Sequence, residues 1–422
     1  MNFEQFQLHE KILAGVIASG YTDPTPIQAE SIPAIMEGRD VMGLAQTGTG
    51  KTAAFVLPIL QRLLGGPQGK VRALIIAPTR ELTEQTHEAI GQLGCNTKLR
   101  SLSIYGGVGI QPQIQALRRG VDIISACPGR LLDHLSRKTV NLSKIEVLVL
   151  DEADQMFDMG FLPDIRKIIK QLPAVRQTLL FSATMPDDIR GLAGDILKNP
   201  VSFQINHSQP ASTVAHTFYP VETQRKNVLL DKILADTKTG PVLVFTRTKI
   251  RSKRVAQHLD QSGYKTAALH GNLSQSQRQK ALDGFKSGRF KILVATDVAA
   301  RGIDVRKVSH VINYDIPNTA EAYTHRIGRT GRACETGDAF TFVTCEDKII
   351  TRSIDKLLGG NLKYCSLEGF PNISAVLNGA SAEADARSKT GTRSKTGMRP
   401  NRPNNGPARS AHAYAAQGKG RR

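Results

Sequence analysis

Residues 45–52 are Ala-Gln-Thr-Gly-Thr-Gly-Lys-Thr, and residues 151–154 are Asp-Glu-Ala-Asp, directly after the apolar run 147–150. The glycines let backbone N–H groups close around phosphate oxygens, Lys51 can reach the β/γ-phosphates, and the Thr52 hydroxyl can bind Mg²⁺. The second stretch puts carboxylates at the end of a predicted buried strand, where a nucleotide-bound Mg²⁺ needs a ligand. Together the two stretches predict a nucleoside triphosphatase.

Apolar runs that alternate with amphipathic segments continue along the chain. Such runs indicate parallel sheets covered on both faces by helices, with ligand sites beyond the carboxyl ends of the strands. Most of the runs are followed by a polar cluster that contains Gly or Pro, as a site built from strand-end loops requires. The runs are 73–77, 123–125, 147–150, 178–181, 242–245, 291–295 and 308–312.

Breaks in this pattern divide the chain. Residues 206–213 form a polar stretch suited to a linker, after which the strand and helix pattern restarts. From about residue 371 the composition changes, and residues 386–422 contain ten Lys/Arg and no Asp/Glu. Such a segment buries too little apolar surface to fold. The sequence therefore predicts an ATP-binding domain over 1–205, a linker over 206–213, a second domain over 214–370 and a disordered basic tail over 371–422.

The charge and the cysteines restrict the class of protein. The 422 residues carry a net charge of +19, which favours a polyanionic partner. Five cysteines are scattered without a CxxC pair, which argues against a zinc site or a disulfide framework and fits a reducing compartment. The N-terminus lacks a signal-peptide pattern, and no apolar run approaches the roughly 18–20 residues that span a bilayer. We expect a soluble cytoplasmic protein with no membrane partner.

Two further stretches carry chemistry. Residues 20–28 are Gly-Tyr-Thr-Asp-Pro-Thr-Pro-Ile-Gln, with Phe3 seventeen residues before Gly20. A Gln amide both donates and accepts, so Gln28 can pair with the N6/N7 edge of adenine and would mismatch guanine, although by itself the stretch would equally suit a Pro-rich turn that opens a helix. Residues 325–332 are His-Arg-Ile-Gly-Arg-Thr-Gly-Arg, a basic segment that by itself would also suit a surface loop for phosphates.

Over roughly residues 3–365 this series of motifs, in this order, resembles the DEAD-box ATP-dependent RNA helicases. The sequence near the N-terminus is most similar to the bacterial RhlE-type members. The resemblance implies two RecA-like α/β domains with parallel sheets. It implies local, non-processive unwinding or remodelling of RNA duplexes and RNA–protein complexes, driven by RNA-stimulated ATP hydrolysis. Ala45 stands where the generic phosphate-binding loop has Gly. This departure agrees with the resemblance, because the family normally has Ala at that position.

The resemblance also implies roles for residues of the ATP site. Asp151 would hold Mg²⁺ with Thr52, Glu152 would orient and deprotonate the attacking water, and Asp154 would tie the site to Ser182 and Thr184. Arg329 and Arg332 would reach the γ-phosphate across the gap between the domains, where such a finger contributes about 10³–10⁵ in rate. The implied ATP-binding residues are Phe3, Tyr21, Gln28, Ala45, Gln46, Thr47, Gly48, Thr49, Gly50, Lys51, Thr52 and Asp304.

RNA contacts are implied for short motifs rich in Thr, Arg and Gly, which suit phosphate and 2′-OH contacts with little sequence preference. The family usually has Thr where this chain has Cys127, and a thiol is a weaker donor. The resemblance does not identify partners in ribosome assembly or RNA degradation. The implied RNA-binding residues are Pro78, Thr79, Arg80, Gly106, Gly107, Gly129, Arg130, Arg247, Gly271, Gln275, Arg278 and Thr296.

Three other functions compete with a helicase. An ATP-gated RNA clamp or annealing chaperone would use the same site residues, so the sequence does not separate it from a helicase. An inactive RNA-binding scaffold would require a lesion at a position such as Lys51 or Glu152, and both residues are intact. A DNA-translocating helicase of the same superfamily is disfavoured by the adenine motif and by residues 151–154.

Overall fold

The computed structural model describes residues 2–46, 48–205, 214–237, 240–300, 308–330, 337–360, 362–365, 367 and 370. The predicted linker over 206–213 and the predicted tail over 371–422 lie outside the described residues. So do three predicted site residues, Thr47, Asp304 and Arg332.

The first half of the chain builds a seven-stranded sheet in which every pair of neighbouring strands is parallel. Its strands are β1 (Val41–Leu44), β2 (Ala73–Ile76), β3 (Ser101–Ile104), β4 (Ile123–Ala126), β5 (Val147–Leu150), β6 (Gln177–Ser182) and β7 (Val201–Gln204). Their order across the sheet is β3-β4-β2-β5-β6-β1-β7. Because the strands are parallel, all their carboxyl ends meet at one edge of the sheet.

The helices of the first half follow or precede these strands. They are α1 (Glu10–Ala18), α2 (Pro26–Met36), α3 (Lys51–Leu64), α4 (Arg80–Leu93), α5 (Ile110–Arg118), α6 (Pro128–Ser136), α7 (Ala153–Asp158), α8 (Leu162–Ile169) and α9 (Asp187–Ile196). A short 3₁₀ helix covers Phe3–Phe6. Six of the helices, α3, α4, α5, α6, α7 and α9, begin two to seven residues after the last residue of a strand, so their N-termini lie at the same edge.

The second half repeats this plan. Its strands are β8 (Val214–Pro220), β9 (Val242–Thr246), β10 (Thr266–Leu269), β11 (Ile292–Thr296), β12 (His310–Asn313), β13 (Gly337–Val343) and β14 (Lys363–Tyr364), in the order β10-β11-β9-β12-β13-β8-β14. Its helices are α10 (Lys226–Asp236), α11 (Lys249–Gln261), α12 (Gln275–Lys286), α13 (Asp297–Ala300), α14 (Ala320–Ile327) and α15 (Lys348–Leu357), with 3₁₀ helices at Thr223–Arg225 and Cys345–Asp347.

Strand β5 shows why the apolar runs are continuous. Val147 and Val149 pack with α2 and α3 on one face of the sheet, while Leu148 and Leu150 pack with α6, α8 and α9 on the other. All four side chains are buried. Because both faces are covered, each position of the run gains about 1.5–3 kcal/mol from burial. The predicted fold of parallel sheets covered by helices is confirmed.

Candidate functional site

The loop between β1 and α3 has the backbone that a phosphate-binding loop requires. Gly50 has φ of 93°, and a Cβ atom there would lie 2.5 Å from the side-chain nitrogen of Gln28. Only glycine suits both the left-handed conformation and the close contact. Ala45, Gln46, Gly48 and Thr49 complete the described part of the loop, and Lys51 and Thr52 open α3. The backbone N–H groups at this helix start form a ready site for anions.

Lys51 is buried and bonded at the edge of the sheet. Its ammonium donates to Oε1 of Glu152 at 2.7 Å and to the Ala45 carbonyl at 2.9 Å. Burial by itself would lower the pKa of Lys51, but the negative charges of Glu152 and Asp151 outweigh it and raise that pKa. Lys51 therefore stays an ammonium and holds together two segments that are a hundred residues apart in sequence.

Glu152 is placed by an unfavourable backbone conformation. It precedes α7 with φ of 52° and ψ of 54°, a left-handed conformation that costs a residue with a side chain about 1–2 kcal/mol. Its Oε2 accepts from the side-chain amide of Gln155 at 2.9 Å, so both carboxylate oxygens have a donor. Backbone strain of this kind is found most often at functional sites, where the surrounding contacts maintain it.

Asp151 fits the chemistry of a metal ligand. Its side chain is buried, and Oδ1 has no hydrogen-bond partner among the described residues. Burial raises the pKa of Asp151 to about 7, with Lys51 opposing the rise and Glu152 adding to it. A buried carboxylate oxygen without a donor is where a hard cation or its water would bind. Thr52, one residue after Lys51, is the other predicted oxygen ligand of Mg²⁺.

Asp154 joins the ends of β5 and β6. Its Oδ2 accepts from the backbone N–H of Thr184 at 2.8 Å, the Thr184 hydroxyl at 3.0 Å and the Ala183 N–H at 3.2 Å. Its own backbone N–H donates to the Ser182 hydroxyl at 3.1 Å. The predicted association of Asp154 with Ser182 and Thr184 is thus present as direct hydrogen bonds. The imidazole of His325, from the second half, lies 4.0 Å from Oδ2.

The predicted adenine-reading residues lie beside the loop. Gln28 is only 1% exposed, with its carbonyl accepting from the Thr25 N–H at 2.9 Å and its amide donating to the Gly50 carbonyl at 3.0 Å. Gln28 therefore braces the phosphate-binding loop directly. Phe3 is buried in the core and meets the Tyr21 ring edge-on, with centroids 5.9 Å apart.

Arg329 approaches this site from the second half. It is 4% exposed and, with His325, lines a small cavity whose wall includes Gln155 of the first half. The neighbouring Arg326 has a different role, because it is paired with Asp297 at 2.7 Å and donates to the Asp315 carbonyl. Of the two predicted arginine fingers, Arg329 is therefore brought to the gap between the halves.

The two halves share a larger cleft of about 550 Å³. Eight of the predicted RNA-binding residues line it, six from the first half and two from the second. They are Pro78, Thr79, Arg80, Gly106, Gly129, Arg130, Gly271 and Arg278. Residues predicted from short and separate motifs are thus gathered in one space, at the carboxyl edge of both sheets.

Two contacts across this cleft join the halves directly. Arg278 donates to Oε1 of Glu81 at 2.6 Å, with both side chains almost fully buried. Arg80 donates to the side-chain carbonyl of Gln275 at 3.0 Å. Three residues predicted to bind RNA therefore contact the opposite half in this structure.

Three other predicted RNA-binding residues do not line the cleft. Arg247 faces Asp347 at 3.4 Å, and its backbone N–H donates to Asp315. Thr296 is the last residue of β11. Gly107 lies against the guanidinium of Arg80, with no space for a Cβ atom.

Cys127, the departure noted in the sequence, lines the cleft as a neutral thiol. Its Sγ lies 3.3 Å from the Thr83 hydroxyl. Burial raises the pKa of Cys127 to about 11, although the hydrogen bond between Cys127 and Thr83 opposes the rise. A protonated and bonded thiol is a weak donor, as the sequence predicts for this position.

Comparison with known proteins agrees with this geometry. Residues 25–192 match the DEAD/DEAH box helicase family, and residues 225–334 match the helicase conserved C-terminal domain. The chain is 46% identical over 342 residues to the ATP-dependent RNA helicase CshA of Listeria monocytogenes, covering 81% of this chain and 66% of that protein. It is 42% identical over 358 residues to the DEAD-box helicase CshA of Bacillus subtilis, covering 84% of this chain and 72% of that protein.

The chain belongs to the DEAD-box ATP-dependent RNA helicases. A solved structure of Dbp5 from S. cerevisiae, bound to RNA and ADP BeF3, is 31% identical to this helicase with a TM-score of 0.78. The match covers 86% of this chain and 95% of that one, and it confirms the tandem RecA-like fold. The closer assignment to the RhlE type stays a prediction.

The sequence did not identify every residue of the helicase cleft. Met159 and Phe161 line it, although neither was predicted to bind RNA. Their half-buried apolar side chains follow residues 151–154 closely, and that proximity was the available signal. Glu81 was not predicted either, and its partner Arg278 is 197 residues away in the sequence. In the described part of the helicase, no helix is long and apolar enough to cross a membrane.

Proposed function

We propose that this helicase hydrolyses ATP in the gap between its two halves and uses the cycle to open short RNA duplexes locally. The observation that carries the proposal is the buried contact of Lys51 with Glu152, beside an oxygen of Asp151 that has no hydrogen-bond partner in the described part of the chain. It combines a cation for phosphates, a candidate base and a candidate metal ligand at one strand edge. RNA would occupy the adjoining cleft.

In this mechanism Lys51 exchanges one anionic partner for another. Its ammonium leaves Glu152 for the β/γ-phosphate oxygens of ATP, and Glu152 then becomes free to orient and deprotonate water. Asp151 and Thr52 would hold Mg²⁺, which supplies positive charge where the transferred phosphoryl group becomes more negative. Arg329 adds a second positive charge from the other half, so full activity requires the halves to be closed.

RNA closes the site because its cleft uses residues of both halves. Backbone and 2′-OH groups held by Arg130 on one side and Gly271 on the other would favour the closed arrangement. The Glu81–Arg278 contact stabilises the same arrangement. A cleft that reads the RNA backbone has little sequence preference.

We further propose the division of the chain predicted from the sequence, with domains over 1–205 and 214–370. The two separate sheets, with strands over 41–204 and 214–364, support it. The proposed location is the cytoplasm, since scattered cysteines suit a reducing compartment.

Strand displacement tests the proposal. The full-length protein is mixed with a short RNA duplex, Mg²⁺ and ATP, and both ATP turnover and release of the labelled strand are measured. We expect turnover that depends on RNA, and strand release that depends on ATP. Turnover without strand release would instead favour an RNA clamp or annealing chaperone. Equal stimulation by RNA and DNA would favour the DNA-translocating alternative.

A further inference from the structure

The edge of the first sheet opposite the ATP site is strongly basic. The loops that lead into β2, β3, β4 and β5 lie at the amino ends of these four neighbouring strands, because the strands are parallel. Each loop brings at least one exposed Lys or Arg. These cations, which we call the basic edge, are Lys70, Lys98, Arg100, Arg119, Lys138 and Lys144.

The positive charge of this edge is not neutralised locally. None of the six side chains has an ion-pair partner within the described ranges. The same loops contain two carboxylates, and both are already engaged. Asp122 is fully buried and accepts from the backbone N–H groups of Gly69 and Arg100, while Glu146 is paired with Arg72 at 2.6 Å.

The loops of the basic edge are held in fixed positions. The two oxygens of Asp122 tie the loop before β2 to the loop before β3. Gly120 approaches Gly69 so closely that a Cβ atom on Gly120 would lie 3.0 Å from the Gly69 backbone. Between these loops and the one before β5 is a cavity of about 370 Å³, and its wall contains Lys70, Lys138 and Lys144.

Lys138 occupies a position that suits glycine better. It follows α6 with φ of 53°, and its backbone N–H closes the helix on the Leu135 carbonyl at 3.0 Å. Gly is the usual residue at such a helix end, because the left-handed conformation is unfavourable when a Cβ is present. The chain thus keeps an exposed cation at a strained position on the cavity wall, which points to a function for that charge.

We propose that the basic edge binds the phosphate backbone of RNA outside the segment held in the helicase cleft. Unpaired ammonium and guanidinium groups are the usual partners of phosphate oxygens. An acidic protein is the less suitable partner, because the cavity wall contains no aromatic side chain that could anchor a protein interface. The inference rests on the proposed RNA helicase function, since it concerns how the same substrate is held.

The size of the domain decides which RNAs can reach the basic edge. A domain of about 200 residues has a radius of gyration of about 16 Å and is about 40 Å across. An RNA that only fills the cleft ends well before the opposite edge. A single-stranded extension of about twenty nucleotides, at about 3 Å each, is flexible and long enough to extend around the domain. The basic edge should therefore distinguish RNAs by length.

A neutral triple variant tests this. Lys70→Gln, Lys138→Gln and Lys144→Gln are combined in the full-length protein and compared with a control in which three other exposed lysines, Lys11, Lys286 and Lys363, are changed to Gln. Binding is titrated with an RNA of about ten nucleotides and with the same RNA carrying a single-stranded extension of about twenty nucleotides. The titration is repeated at several salt concentrations.

For the long RNA we expect the basic-edge variant to bind at least about 10-fold more weakly than wild type at 0.1 M salt, with a salt slope flatter by about two units. We expect the short RNA to bind equally well, with its saturated ATPase rate unchanged. Equal affinity of wild type and variant for the long RNA would overturn the inference, and so would an equal loss in the control. Absence of RNA-stimulated ATPase in the wild type would instead overturn the proposed function.

The single variant Lys138→Gly separates charge from structure. Glycine relieves the strained backbone while removing one cation, so we expect an unchanged or higher Tm together with weaker binding of the long RNA. By the salt relation one phosphate contact is worth about fivefold in affinity at 0.1 M salt. Unchanged affinity for the long RNA in this variant would show that Lys138 does not contact it and would contradict the proposal.

Discussion

The ammonium of Lys51 and the Oε1 oxygen of Glu152 lie 2.7 Å apart, and both side chains are almost fully buried. The same two groups are the ones that ATP hydrolysis would need separately, one on the phosphates and one on water. The contact therefore keeps the candidate base Glu152 paired with a cation until a phosphate group takes its place as the partner of Lys51. Glu152 therefore does not act as a base before ATP binds.

Lys51→Ala should abolish ATP turnover, with a loss of at least about 10³-fold, because the phosphates lose the ammonium at the start of α3 and Arg329 reaches them only from the other half. It should also lower the free energy of unfolding by about 3 kcal/mol, since it leaves Glu152 and Asp151 buried without their cation. RNA-stimulated ATPase and thermal melting measure the two effects. Lys11→Ala, at an exposed position, is the control. Measurable RNA-stimulated turnover in clean Lys51→Ala protein would refute the assignment.

Glu152→Gln should fold well yet stop turnover. The new amide can still accept from Lys51. Gln155 can rotate its own amide, whose oxygen has no partner among the residues that the structure describes, to accept the added N–H. The base, however, is gone. We expect a Tm within a few degrees of wild type and stable binding of ATP together with RNA.

Two results would count against this role of Glu152. Turnover at the wild-type rate would show that another group deprotonates the water. Failure to bind ATP would show that Glu152 acts through structure alone. Filter binding with labelled ATP and RNA, beside a steady-state ATPase assay, distinguishes these results.

Nucleotide preference should depend on Gln28. The wild type should prefer ATP to GTP by about 10–100-fold in kcat/KM, because a mismatched buried amide leaves polar groups unpaired. Gln28→Ala removes the bond to the Gly50 carbonyl and should lower activity with both nucleotides. If Gln28 also reads adenine, the loss is larger for ATP. An equal loss for both would limit its role to bracing the loop.

The fold was predictable where a strand is covered on both faces. The runs over 147–150 and 178–181 became β5 and β6 because every position is buried, which leaves a continuous apolar signal. Strands β3 and β7 were not singled out. Their burial is partial or alternating, so polar residues such as Ser101 and Ser202 interrupt the run.

The site was predictable residue by residue but not contact by contact. Motif spacing indicated Lys51 and Glu152, yet it could not show that they bind each other. The pairing depends on β1 and β5 lying on either side of β6, and on the left-handed backbone of Glu152. The resemblance likewise indicated Arg278 as an RNA-binding residue but not its contact with Glu81, which lies in the other half without a local pattern that links the two.

The Glu81–Arg278 contact should couple closure to RNA binding. Glu81→Ala or Arg278→Ala alone leaves a charge buried and unpaired, so each should raise the RNA concentration for half-maximal ATPase by about 10-fold. The double variant should be little worse than either single one, which gives a coupling energy of about 1–3 kcal/mol. Additive effects would show that the two side chains act independently.

A second ion pair of the first half provides a control for this double-mutant comparison. Arg166 pairs with Asp195 on the exposed surface of the first half and takes no part in the cleft. Combining Glu81→Ala with Arg166→Ala should therefore give purely additive effects on the same ATPase assay.

His216, far from the ATP site in sequence, should make the second half sensitive to acid. It lies on β8, where its Nδ1 is 3.0 Å from the Tyr323 hydroxyl, and burial lowers the pKa of His216 to about 4. The folded state thus binds fewer protons than the unfolded state between about pH 6.5 and pH 4. The stability from this group is fully present above pH 6.5 and is lost as the pH falls toward 4, by up to about 3 kcal/mol.

His216→Gln should flatten that part of the pH profile in urea denaturation followed by circular dichroism, whereas His9→Gln, at an exposed position, should not. Parallel profiles for wild type and His216→Gln between pH 6.5 and 4 would show that the acid sensitivity comes from other groups.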